Sequence, residues 1–181
     1  MAFARGRRLE TESELYEYAL GALGRRMRTV AELKRLLRNR VDAESEIGKT
    51  LVELVVRRLK DQGYLNDAKY ALAYSTFRRD NEKYGQRRVV TDLKSKGVVG
   101  EILEEAVAVS FREVDEEKQA REYLRRKRLQ KPQDKKQAAR VFRQLMRAGF
   151  DPKTIFKILR KWDVDDETLE AFEDARKDSE E

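Results

Sequence analysis

The sequence predicts an all-α protein arranged as three helix triplets in series, and three observations point that way. Only two prolines and nine glycines interrupt 181 residues dominated by Ala, Leu, Glu, Lys and Arg, a composition that favours helix and leaves little material for a sheet. Apolar residues recur at helical spacing along most of the chain. The same glycine-plus-apolar stop returns at Gly97-Val98 and Gly149-Phe150, as a repeated unit requires. With 40% hydrophobic and 41% charged residues, the expected core is thin and extended.

Leu15, Tyr16, Ala19, Leu20 and Leu23 place a helix over residues 12–25. Thr29 and Glu32 form a capping box, each able to satisfy a free backbone N–H, and open a second helix carrying Leu33, Leu36 and Leu37. A third pattern, Ile47, Leu51, Leu54, Val55, Arg58 and Leu59, runs to Gly63, which can take the left-handed conformation that ends a helix. Asn66-Asp67 caps the next, whose Tyr70, Ala71, Tyr74 and Phe77 share a face assigned to core packing. A further helix begins near Tyr84-Gly85 with Val89, Val90 and Leu93, and Ile102, Leu103, Ala106 and Val107 continue the array.

The third round holds Ala120, Tyr123 and Leu124, then Ala138, Val141, Phe142 and Leu145 beyond Pro132. Asp151-Pro152 is an N-cap with proline at the first helical position, so a last helix carries Ile155, Phe156, Ile158 and Leu159. Setting Leu36, Leu93 and Leu145 in one column places Leu33, Val90 and Phe142 three residues earlier on the same face. The domain reading is a basic extension over 1–13, repeats over 14–63, 64–112 and 113–162, and an acidic tail over 163–181.

Cysteine and histidine are both absent, which rules out disulfides, zinc-thiolate centres, cysteine nucleophiles and Ser-His-Asp triads. Gly48-Lys49-Thr50 copies the end of a phosphate-binding loop, but Ala43 stands where the loop needs glycine, and the surroundings read as helix. Glu104-Glu105 and Glu116-Glu117 are sequence neighbours, so each pair diverges by about 100° on a helix and reads as a solvated face. No catalytic residue, cofactor or metal is assigned. The longest apolar runs fall short of the roughly 20 residues of a membrane span, and no apolar signal core follows the basic start, so a cytoplasmic location is expected.

The net charge of +7 conceals an asymmetry. Residues 163–181 hold ten acidic and two basic side chains, which leaves +15 on residues 1–162. Such a body attracts nucleic acid or an acidic protein surface, with an attraction that salt screens. Basic side chains cluster at helix turns, and residues 121–143 alone hold ten against two acidic ones. No zinc finger, base-stacking strand motif or heptad-linked basic region accompanies them, so DNA contacts would be mostly to phosphates.

The string from Tyr84 through Gly85, Arg87, Arg88, Val90 and Leu93 to Gly97 resembles the central motif of the RecX family of bacterial recombinase regulators. Gly63-Tyr64-Leu65-Asn66-Asp67 with Tyr70-Ala71 is similar to that family's first junction, and Arg140 to Phe150 with Ile155 and Leu159 to its third repeat. The resemblance covers about residues 14–162, with Arg28-Thr29 and Glu32-Leu33 in the first repeat. It departs at Arg40, where the terminal glycine of the first repeat is missing. It implies an elongated, curved stack of three-helix repeats that binds the RecA nucleoprotein filament, inhibits ATPase and strand exchange, restrains recombination and the SOS response, and also binds single- and double-stranded DNA.

On that basis the expected contacts to RecA or DNA are Arg25, Arg26, Lys34, Arg35, Arg87, Arg88, Lys94, Arg125 and Arg126. The protein is expected to act as a monomer without enzymatic activity. The competing expectation is a general DNA-binding helical module that needs no recombinase. The acidic tail is expected either to fold over the basic surface as an electrostatic competitor or to serve as a solubilising segment, with Leu169 and Phe172 adding a short helix.

Overall fold

The computed structural model describes residues 7–177, with side chains as far as Asp174. Residues 1–6 of the basic extension and 178–181 of the acidic tail lie outside the described residues. Among the described residues there are ten helices and no strand: α1 Glu12–Arg25, α2 Val30–Arg38, α3 Glu46–Asp61, α4 Asp67–Asp80, α5 Gln86–Ser95, α6 Gly100–Phe111, α7 Glu116–Arg126, α8 Lys135–Arg147, α9 Pro152–Arg160 and α10 Asp166–Lys177. The all-α expectation holds. No described helix is long and apolar enough to cross a membrane.

The starts of these helices follow from their caps. Thr29 accepts from the Glu32 amide at 3.1 Å while the Glu32 carboxylate accepts from the Thr29 amide at 3.3 Å, the reciprocal pairing its spacing predicts. Thr11 and Glu14 repeat the device at α1. Asp151 caps α9 ahead of Pro152, and Asn66 accepts from the Lys69 amide at 2.9 Å. The Gly48-Lys49-Thr50 string lies inside α3, with the Gly48 amide donating to Ser45 Oγ at 2.9 Å.

Five of the stops, those of α3, α5, α7, α8 and α9, are Schellman turns. Gly97 has φ +82°, its amide donates to the Lys94 carbonyl at 2.9 Å, and the Val98 amide donates to Leu93 at 3.0 Å. Gly63 and Gly149 close α3 and α8 the same way. Arg128-Leu129 and Asp163-Val164 make the same bond pair after α7 and α9, with φ 54° and 57° at the non-glycine residue.

The chain divides into two compact units, the first comprising residues 1–73 and 93–106 and the second residues 74–92 and 107–181, so the division falls inside α4, α5 and α6. In the first, α1, α2 and α3 pack on one another around Leu15, Leu33, Leu37, Val52, Val55 and Leu59. In the second, α9 packs on α7 and α8, and α10 on α8, around Leu124, Leu145, Phe150, Ile155, Ile158 and Leu159.

Burial corrects the alignment of columns. Leu37 rather than Leu36 is fully buried, and Val89 rather than Val90. The recurring buried pair is thus Leu33/Leu37, Val89/Leu93 and Val141/Leu145, four residues apart each time, which shares a helix face as well as a spacing of three does. The position four beyond Leu37 is then the buried Val41, not Arg40. Several residues assigned to apolar faces are exposed instead: Ile47 by 74%, Phe77 by 53%, Leu54 by 43% and Ile102 by 42%.

The reading of Glu116 and Glu117 as solvated also fails. Glu116 accepts from the Asp151 amide at 2.9 Å and from the Thr154 hydroxyl at 2.5 Å. Glu117 pairs with Lys157 at 2.8 Å, Lys161 at 2.6 Å and Arg121 at 2.9 Å, and these three cations hold its carboxyl down at about 2. Neighbours in sequence diverge from each other, as expected, but each finds its own partners on α9 or its cap.

Within the acidic segment, α10 is a helix seated on the core. Leu169 is 2% exposed, and the Phe172 ring lies 5.2 Å from that of Phe142. Asp163 pairs with Lys131 at 2.5 Å and Glu167 with Lys135 at 3.6 Å.

Candidate nucleic-acid interface

In the first unit, Arg25 and Arg26 end α1, where Arg26 turns to extended backbone at φ −165° and both side chains enter solvent. Arg35 on α2 and Lys94 on α5 are also exposed, and none of these four has a partner among the described residues. Lys34 differs, being half-buried and paired with Glu53 at 2.7 Å.

Beside them stands an interior polar junction. The Thr29 side chain is fully buried and its hydroxyl donates to the Lys96 carbonyl at 2.6 Å. The Val30 amide donates to Asp67 at 2.9 Å. Lys96 pairs with Glu32 at 3.2 Å; partial burial works against its charge, but hydrogen bonds to Glu32 and Tyr70 prevail and hold its pKa above the ordinary lysine value. A Cβ on Gly97 would collide with that of Ala31, in addition to the strain of its positive φ.

In the second unit, the Tyr84-Gly85-Gln86-Arg87-Arg88 turn is a structural joint. The Gly85 amide donates to Ala148 at 2.8 Å and the Arg87 amide to Gly149 at 3.2 Å. A Cβ on Gly85 would overlap the Gly149 carbonyl, and one on Gly149 would overlap the Arg88 backbone. Gln119 donates to the Tyr84 carbonyl at 2.5 Å, and the Arg78 guanidinium lies 4.4 Å above the Tyr84 ring. Asp92 binds Arg78 at 2.7 Å, Arg88 at 2.9 Å and the Tyr74 hydroxyl at 3.1 Å. Burial works against the charge of Arg78, but that hydrogen bond to Asp92 leaves its pKa raised.

Arg87 and Arg88 are therefore engaged within the chain, Arg87 with Asp151 at 2.8 Å, although both remain exposed. Arg126 donates to the Asn81 carbonyl and lies 3.7 Å from Glu82. Arg125 is exposed and makes no side-chain hydrogen bond or ion pair among the described residues, although its charge acts on Glu122. Of the nine expected contacts, five are thus free and four are paired.

A set that the motif-based choice missed lies on α8. Lys136, Arg140, Arg143 and Arg147 are exposed, make no side-chain hydrogen bond or ion pair among the described residues, and follow one another at spacings of four, three and four. At about 3.6 residues per turn they form one stripe opposite the buried Ala138, Val141, Phe142 and Leu145. The spacing was visible in the sequence; the freedom of the side chains was not.

Among the described residues, no group of three or more acidic side chains is arranged to hold a metal ion. No protein-family model matches the chain. It is 34% identical to the regulatory protein RecX of Deinococcus radiodurans, over 85% of this chain and 71% of that one. It is 34% identical to that of Leptothrix cholodnii over 78% and 85%, and 30% identical to that of Pseudomonas putida over 87% and 97%. The crystal structure of RecX from Lactobacillus salivarius superposes with a TM-score of 0.64 at 22% identity, over 84% of this chain and 96% of that one. A second, of a regulatory protein RecX, gives 0.62 at 21% identity. At these identities the two structures speak for the fold.

Proposed function

The chain belongs to the RecX family of regulatory proteins, and from that premise we propose that it binds the RecA nucleoprotein filament and mainly inhibits its ATPase and strand exchange. The observation that carries this reading is the match to relatives of that name over most of both chains. Three helix triplets, over 14–63, 64–112 and 113–162, supply several contact points for a repeating partner. Weak contacts to neighbouring protomers sum to avidity without a deep pocket. The protein acts by occupancy, as a cytoplasmic monomer, favouring one filament state over another through different affinity for each.

Arg25, Arg26, Arg35, Lys94 and Arg125 are the primary contacts in this reading, because each is exposed and unpaired among the described residues. Lys34, Arg87, Arg88 and Arg126 would have to exchange an internal partner for an external one. The test is the ATPase of RecA on single-stranded DNA, titrated with this protein. Inhibition that saturates is expected; an unchanged rate at saturating concentration overturns the reading.

The α8 stripe favours a second reading, a helical module that binds DNA phosphates without a recombinase. Equal affinity for bare DNA and for a preassembled filament would support it over the first.

A further inference from the structure

We propose that the outward face of α8 is a docking strip for the phosphate backbone of nucleic acid, and that the acidic segment from the α9 stop into α10 withholds two flanking cations from it. The proposal rests on the DNA-contacting reading above and adds the site and its control. Four cations, Lys136, Arg140, Arg143 and Arg147, span eleven residues, about 16 Å of helix axis at 1.5 Å per residue. A regular line of unpaired charge is what a polyelectrolyte recognises, since each neutralised phosphate releases a counterion. Three of the four are arginines, whose planar guanidinium matches phosphate oxygens in a bidentate fashion.

The chemistry around the strip favours nucleic acid over an acidic protein. Protein interfaces concentrate their energy in a few buried apolar or aromatic anchors, and none of the exposed large hydrophobic residues lies on α8. The absence of an exposed aromatic there also removes base stacking, so the strip reads backbone rather than sequence.

The control comes from the opposite flank of the same helix. Leu169 and Phe172 anchor α10 against the core beneath α8. Glu167 on α10 lies 3.6 Å from Lys135, and Asp163, in the turn that stops α9, pairs with Lys131 at 2.5 Å. Arg160 is engaged likewise by Asp166 at 3.2 Å. The acidic segment thus engages Lys131 from the turn after α9 and Lys135 from α10, while its remaining carboxylates lower the local potential that a polyanion meets.

The test measures binding of the full chain to a short labelled duplex of mixed sequence by fluorescence anisotropy across a salt series. Removing three strip charges with R140Q, R143Q and R147Q should reduce the log–log salt slope by about 2.7 and weaken binding by about tenfold or more at low salt. Removing three exposed, unpaired cations elsewhere, with R57Q, K60Q and K69Q, matches the change in net charge. That control should cost well under half as much. D163N with E167Q should tighten binding and steepen the slope by up to about 1.8.

Equal losses in the strip and control variants would reduce the effect to net charge and overturn the site. A strip variant that binds DNA normally but loses only the RecA filament would make the face a protein contact and overturn it too. Unchanged binding in D163N/E167Q would overturn the role of the acidic segment. The RecA ATPase assay separates this inference from the regulator reading: intact salt behaviour with no inhibition leaves the strip standing and removes the regulator role.

Discussion

Gly85 offers the sharpest test of how the family-like turn works. Replacing it with alanine puts a Cβ into the carbonyl of Gly149, a backbone group that cannot rotate aside. Gly85 is buried at the start of α5, so the turn and the end of α8 must separate. Separation lengthens two hydrogen bonds, from the Gly85 amide to Ala148 and from the Arg87 amide to Gly149. Each contributes about 1 kcal/mol net, and overpacking adds about 1–3 kcal/mol. The expected loss for Gly85→Ala is therefore about 3–5 kcal/mol. Gly21→Ala is the internal comparison, since that glycine lies inside α1 with nothing within 4 Å of the added Cβ. It should stabilise by roughly 0.5–1 kcal/mol through helix propensity. Urea denaturation followed by far-ultraviolet circular dichroism reads both units, and the fluorescence of Trp162, the single tryptophan, reports on the second unit, where its side chain packs against the core. A Gly85→Ala midpoint indistinguishable from wild type would refute the view that close backbone approach demands glycine here.

Thr29→Ala should destabilise by about 1–3 kcal/mol in chemical denaturation, because the buried hydroxyl both caps α2 and donates to Lys96; Thr29→Ser should recover most of it. Glu117→Gln should lower stability at neutral pH, and the gap to wild type should close as pH falls. The Glu117 carboxyl sits at about 2 rather than its ordinary 4.5, so its contribution is present above about 4.5 and is lost on acidification toward about 2. Thermal melts of both proteins across that range check the sign.

Local chemistry was legible wherever a residue type has one conformational use. Thr29 with Glu32, Asp151 with Pro152, and the glycines at 63, 97 and 149 named their own caps and stops. Arg128 and Asp163 perform the same left-handed stop without announcing it, because an exposed αL residue at a helix end can be paid for by the two hydrogen bonds it closes. The exposure of Phe77 and Ile47 was hidden for a different reason. Periodicity marks which residues share a face, but not whether another element covers that face. Adjacency separates Glu116 from Glu117 but not from a third element, and α9 supplies a partner to each.

The same distinction governs the candidate interface. A count of basic residues near motif turns treats all cations as equal, yet a cation already held by a carboxylate must lose that partner before it can contribute to binding. Arg88 illustrates the cost. Its partner Asp92 also receives Arg78 and the Tyr74 hydroxyl, so drawing Arg88 away disturbs a shared junction. Arg140, Arg143 and Arg147 carry no such obligation among the described residues. The motif turn and the α8 face therefore divide two tasks. The turn's glycines and arginines fix the joint to which α7, α8 and the α9 cap are tied, and the joint fixes where the free arginines stand. Substitution at Arg88 should then alter stability as well as affinity, whereas substitution at Arg143 should alter affinity alone.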